Sequence, residues 1–316
     1  GKGRRRKWRQ RLESDVPLSL LLKDLLLMAE NRFRDTGCPD PRLDAEILLC
    51  HLLQVDKSYL FTHYGDDLQD EPCQGYFDLM DRRASGEPVQ YITGIQDFMG
   101  LTLKVNESVL IPRQDTETLA EAAEEELMRR KQPLGGFDVL DLCCGSGAIG
   151  IALASRVGKQ KKMKVVASDI SREALAVAEE NASLNGVKGK VQFVESDLFA
   201  AFPKDRKGKG KRRFDLILSN PPYIPSEVLP TLQREIREHE PMLALDGGPK
   251  GLDFYARILE EAPDFLKPGG MVILEMGYDQ GDGLAALAEE KGGYSLPHII
   301  KDLAGKERVF AVGYHG

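Results

Sequence analysis

Beyond Arg113 short apolar runs alternate with longer stretches of helical periodicity, and this rhythm restricts the fold more than any other feature of the 316 residues. The runs fall at 139–142, 165–168, 191–194, 216–218, 272–275 and 309–312, with helical spacing between most of them. Strands alternating with helices imply a parallel sheet covered on both faces, so the expected class is α/β with a doubly wound, Rossmann-like sheet. Such sheets take ligands beyond the carboxyl ends of their strands, where the strand order reverses. Candidate functional residues are therefore those that directly follow the runs.

The first third of the chain reads differently. Leu18, Leu22, Leu25, Leu26, Ala29 and Phe33 recur at three- and four-residue steps, and the period returns at Leu43, Ile47, Leu48 and Leu52. This predicts a small helical bundle with inter-helix turns at 36–41 and 65–72. Between 89 and 112 the pattern suggests two short strands around Gly100. The expected organisation is a basic tail at 1–16, a helical domain at 17–86, a β-hairpin linker at 87–112 and the α/β domain at 113–316.

Composition excludes several classes. With 42% hydrophobic and 29% charged residues the chain is neither disordered nor dependent on disulfides or a structural metal for a core. The longest apolar stretch, 18–29, is interrupted by Lys23 and Asp24, shorter than the roughly 20 residues that span a bilayer, and followed by no small-residue cleavage site. No membrane association is expected. The five cysteines are odd in number and contain no CxxC pair, which points to a reducing compartment and a cytoplasmic address. Cys143 and Cys144 are adjacent and cannot chelate one tetrahedral zinc, and the five histidines show no ligand spacing, so no metal is expected. The formal charge is −7 although residues 2–11 hold seven cations and no acid. Residues 204–213 hold seven more against Asp205 alone. The remaining body is acidic, which argues against stable contact with free nucleic acid.

The first run leads through Asp141 into Cys143-Cys144-Gly145-Ser146-Gly147, with Gly150 three residues on and an apolar helix behind it. Glycines here allow a tight turn and close backbone approach to a ligand. The second run ends at Asp169, placed to accept the hydroxyls of a ribose, and the third leads into Asp197-Leu198-Phe199, an acceptor for an adenine amine beside an apolar bed. Acids after three successive strands, in phase with the glycines, indicate a nucleoside-bearing cofactor. Asp141 suits a cationic amino-acid moiety better than a diphosphate, which favours S-adenosylmethionine over a nicotinamide dinucleotide.

The fourth run is followed by Asn220-Pro221-Pro222-Tyr223. An amide or aromatic amine nitrogen is a poor nucleophile because its lone pair is delocalised. A site that alkylates it should hold its N–H groups with acceptors and aim the lone pair at the methyl carbon. Asn220 offers a side-chain carbonyl, Pro221 a backbone carbonyl on a loop stiffened together with Pro222, and Tyr223 a ring to lie against the planar group. No strong base is required, since the proton can leave the more acidic product.

These residues together resemble the S-adenosylmethionine methyltransferases of planar nitrogen. The segments 86–94 (GEPVQYITG), 111–117 (IPRQDTE), 238–241 (EHEP) and 244–248 (ALDGG) narrow the resemblance, over nearly the whole chain, to the HemK/PrmC family. It implies a seven-stranded class I sheet whose last strands are antiparallel, acting with a helical substrate-binding domain. It also implies methyl transfer to the glutamine side-chain amide (N5) in the Gly-Gly-Gln loop of class I peptide chain release factors, with S-adenosylhomocysteine as product. By the same resemblance Asn220, Pro221, Pro222 and Tyr223 orient the acceptor, while residues 143–147, Asp169, Leu198 and Asn220 hold the cofactor. Pro112 and Arg113 would shape the mouth. Cys143 replaces a glycine common in the family's turn, and Leu198 stands where some members have an aromatic. A monomer is expected. The competing readings are an adenine-amine methyltransferase of DNA or RNA, and a nicotinamide oxidoreductase using Gly145-x-Gly147-x-x-Gly150.

Overall fold

The computed structural model describes residues 20–315, so the basic run at 2–11 lies outside the described residues. These fall into two compact units, one formed by the chain up to Thr93 together with Arg234–His239, the other by Gly94–Gln233 and the chain from Glu240 onward.

The first unit contains β1 (Leu20–Leu21), α1 (Leu22–Asp35), α2 (Pro41–Leu53), α3 (Lys57–Thr62), β2 (Asp67–Leu68), α4 (Asp70–Ala84) and α5 (Val89–Thr93). Leu22, Leu25, Leu26, Ala29 and Phe33 form the buried stripe of α1 and pack with Leu48 and Leu49 of α2 and Tyr76 and Met80 of α4. Pro41 opens α2, where its missing N–H costs nothing, and Asp56 caps α3 by accepting from the Tyr59 amide at 2.8 Å. The expected turn at 65–72 contains β2, paired antiparallel with β1, and α4 already begins at Asp70 with Pro72 in its first turn. Residues 89–93 are helical rather than part of a hairpin. Val89 and Ile92, three apart, turn into the helical core, which the hairpin reading of 87–112 did not anticipate.

The second unit opens with the hairpin, shorter than expected, of β3 (Ile95–Phe98) and β4 (Leu101–Lys104). Its two-residue turn places Met99 at φ 49° and Gly100 at φ 76°, as the twist of paired strands favours. There follow α6 (Glu117–Arg129), β5 (Phe137–Leu142), α7 (Ala148–Arg156), β6 (Met163–Asp169), α8 (Arg172–Leu184), β7 (Val191–Glu195) and β8 (Phe214–Ser219). After α9 (Arg234–His239), which belongs to the first unit, come α10 (Asp253–Phe265), β9 (Leu266–Glu275), α11 (Gly281–Lys291), β10 (His298–Lys301) and β11 (Glu307–Gly313).

All six apolar runs lie in strands of one seven-stranded sheet, ordered β10-β11-β9-β8-β5-β6-β7. β7, β6, β5, β8 and β9 are parallel; β11 lies antiparallel between β9 and β10. The seventh strand, β10, escaped the sequence pattern because its HIIK stretch is a half-exposed edge. Alternation along the strands divides the core: Val139, Leu216 and Leu218 face α6, α7 and α8, while Leu140, Leu142 and Ile217 face α10 and α11. The strand order reverses between β5 and β8, and the loops after these two strands meet there. The basic loop at 204–213 precedes β8, at the opposite edge, where Lys204 and Lys209 both pair with Asp264 at 3.0 Å.

Candidate active site

The turn after β5 is built on backbone that side chains resist. Cys143 (φ 57°), Gly145 (φ 52°) and Gly147 (φ 82°) are left-handed, and Gly147 caps the start of α7. A Cβ on Gly147 would lie 2.8 Å from the Ile151 Cδ1 and 3.1 Å from the Ala178 Cβ, so this glycine lets α7 approach α8. A Cβ on Gly145 would meet nothing within 4 Å, which leaves bare backbone facing open space. Both thiols are held protonated by burial, that of Cys143 being pushed up to about 12, so neither is a nucleophile here.

The acids after the strands have unequal situations. Asp169 lines the cavity described below. Its Oδ2 accepts from the Gly145 amide and its Oδ1 from the Ser171 amide, both at 2.9 Å, and burial raises its pKa. Asp197 is half exposed and its Oδ1 accepts from Arg257 at 2.8 Å, a partner from α10 that nothing in the local sequence announced. Asp141 lies elsewhere. Strand parity sends its side chain under α7, where Oδ2 accepts from the Gly150 amide at 3.0 Å; it is fully buried and not among the cavity-lining residues. Burial pushes its pKa up to about 7, and its Oδ1 has no partner. In this geometry Asp141 holds the turn from behind.

At the end of β8, Asn220 donates from Nδ2 to the Thr116 Oγ1 at 3.5 Å, which directs its amide nitrogen toward that hydroxyl. Pro221 and Pro222 are buried. The Tyr223 hydroxyl donates to Glu275 Oε1 at 3.1 Å, so the phenol points back into the sheet edge and burial raises its pKa. Opposite, Glu240 accepts from the Ile111 amide at 3.0 Å with Oε2 and from the Arg113 guanidinium with Oε1. A buried carboxylate thereby fixes both sides of Pro112.

These loops enclose a cavity of about 250 Å³. Of the residues anticipated from sequence, Pro112, Arg113, Cys143, Cys144, Gly145, Ser146, Asp169, Asp197, Leu198, Asn220 and Pro222 line it; Asp141, Gly147, Pro221 and Tyr223 do not. Thr116, Leu243, Phe254 and Arg257 line it without having been anticipated. Thr116 sits within the segment 111–117 already noted, but nothing in a threonine's local context says which distant side chain it will meet. Among the described residues no group of His, Cys, Asp or Glu is placed to hold a metal.

A sheet in this order, with its cavity over the turn that follows the central strand, defines the class I S-adenosylmethionine-dependent methyltransferases, and residues 135–304 match a methyltransferase domain family. The other part of the chain is more particular, since residues 24–94 match the PrmC N-terminal domain family. The release factor glutamine methyltransferase of Moorella thermoacetica is 39% identical over 291 residues, which cover 92% of this chain and 98% of that protein. The enzyme of the same name from Geobacter sulfurreducens is 40% identical over 279 residues, covering 88% and 92%. That from Clostridium botulinum is 35% identical over 290 residues, covering 92% and 98%. The chain belongs to the release factor glutamine methyltransferase family.

Proposed function

We propose that the enzyme transfers the methyl group of S-adenosylmethionine to the side-chain amide nitrogen of the glutamine in the Gly-Gly-Gln loop of a class I peptide chain release factor. The observation that carries the reading is the setting of Asn220: it lines the cavity beside the glycine turn with its amide nitrogen given to Thr116, so its carbonyl oxygen is the group left for an acceptor N–H. S-adenosylmethionine supplies an electrophilic methyl on a sulfonium. The turn at 143–146 with its bare Gly145, the cavity-lining Asp169, and Asp197 with Leu198 form the donor and acceptor set that suits its amino-acid, ribose and adenine parts. Pro112 with Arg113 shape the wall where the loop enters, and Pro222 stiffens the segment that follows Asn220. Catalysis consists of positioning and polarisation. Charge that develops on the amide nitrogen is met by the Asn220 carbonyl oxygen, and the proton leaves from the methylated amide.

We read the enzyme as a cytoplasmic monomer that takes one release factor at a time, from the cysteine pattern of the sequence and the single-acceptor chemistry proposed for the site. No helix among the described residues is long and apolar enough to cross a membrane. The test is transfer of labelled methyl to a purified bacterial release factor, beside the same factor with its Gly-Gly-Gln glutamine changed to alanine. Label on the first alone establishes reaction and acceptor. Label on neither, with cofactor binding intact, overturns the acceptor and directs the search to adenine amines in nucleic acid.

A further inference from the structure

Glu275 ends β9, next to β8 in the sheet, and is 2% exposed. It is a buried acid at the carboxyl edge that the proposed chemistry leaves without a task. Oε1 accepts from the Tyr223 hydroxyl at 3.1 Å, Oε2 is buried with no hydrogen-bond partner, and the Thr116 hydroxyl faces the same carboxylate and favours its charged form. Thr116 Oγ1 in turn accepts from Asn220 Nδ2 at 3.5 Å. Both ends of the Asn220–Tyr223 loop are thus referred to a single carboxylate.

We propose that Glu275 is a positioning residue that sets, through Thr116, which face of the Asn220 amide is presented to the acceptor. An ionised carboxylate can only accept hydrogen bonds, and a hydroxyl has one proton. With that proton given to Glu275, the lone pairs of Thr116 turn to Asn220 and can receive only its NH₂ group. The carbonyl oxygen of Asn220 is then the atom facing the cavity. If Glu275 is neutral or replaced by an amide, the Thr116 proton is free to turn the other way, and the reversed Asn220 would present donors to a substrate that also presents donors.

The groups around Glu275 come from four elements. They are Tyr223 of the loop after β8; Arg308 of β11, itself paired with Asp302 at 3.1 Å and Asp115 at 3.4 Å; Asp115, before α6; and Tyr255 of α10, whose hydroxyl donates to the Glu275 main-chain oxygen at 2.8 Å. Burial outweighs Thr116, Tyr223 and Arg308 and pushes the Glu275 pKa up to about 7. The carboxylate that the orientation requires is therefore lost as pH falls through about 7.

The inference rests on Asn220 being the residue that holds the acceptor, so Asn220→Ala is measured alongside. The experiment uses the full chain, with methyl transfer to a purified release factor, S-adenosylmethionine binding by calorimetry, and melting temperature. Glu275→Gln and Thr116→Val, both close in shape to the parent side chains, should lower kcat by about tenfold or more while cofactor Kd and melting temperature stay near the parent's. Thr116→Ser should restore most of the loss, and the fall of kcat below about pH 7 should disappear in Glu275→Gln. Should Glu275→Gln fail to fold, Thr116→Val and its Ser counterpart decide. Parent-like kcat in Thr116→Val, or an unchanged acid limb in folded Glu275→Gln, overturns the inference while Asn220→Ala remains inactive. Full activity in Asn220→Ala overturns the reading of the site itself.

Discussion

At the scale of single residues, the turn after β5 separates two uses of glycine that look alike in the sequence. Gly145 and Gly147 are both left-handed, a conformation that costs a residue with a Cβ about 1–2 kcal/mol. Cys143 bears that cost at φ 57°, beside the two glycines of the same turn. Gly147 is closed in by Ile151 and Ala178, whereas Gly145 opens onto free space. Gly147→Ala should therefore lose about 2–4 kcal/mol of stability, strain and overpacking together. Gly145→Ala should lose only about 1–2 kcal/mol, but its methyl should obstruct the cofactor. Chemical denaturation and calorimetric titration of S-adenosylmethionine separate the two; equal loss of stability in both variants contradicts the assignment.

Between elements, the placement of the glycine turn depends on one asparagine in mid-helix. Asn181 of α8 is fully buried; its Nδ2 donates to the Lys104 and Ser146 carbonyls, each at 2.9 Å, and its Oδ1 accepts from the Lys104 amide at 2.6 Å. It joins β4 of the hairpin to the turn that lines the cavity. Asn181→Leu keeps the branching at Cγ but is bulkier and strands these backbone groups, and should cost about 2–4 kcal/mol in a urea titration and weaken cofactor binding. A cofactor affinity unchanged in that variant would show that the hairpin and the turn are independent. In the sequence Asn181 is merely a polar residue inside a helix. Its partners lie 77 and 35 positions away, and no local pattern encodes them.

Across the whole molecule, the chain leaves the second unit at Gln233, forms α9 within the first, and returns at Glu240. The buried guanidinium of Arg83 donates to Asp44 and pairs with Glu235, at 2.7 Å each, so α9 is held to the helical unit by the second carboxylate on one buried charge. Glu235→Ala should lower stability by about 2 kcal/mol, read from thermal or urea unfolding, and parent-like unfolding would refute that role for the pair. This return of the chain could not be read from linear order. The sequence was sufficient for the α/β class, the helical bundle, the six main strands and the residues at their carboxyl ends, because 3.6- and 2-residue periodicities are properties of the local backbone. Family motifs carried the chemistry, since short spacings survive as short distances. What depended on the packed fold was the meeting of remote side chains: Arg257 with Asp197, Glu240 with Ile111 and Arg113, Glu275 with Tyr223, and the burial of Asp141 under α7. Those contacts arise from strand order and face parity, which are settled only when distant parts of the chain compete to bury the same surface.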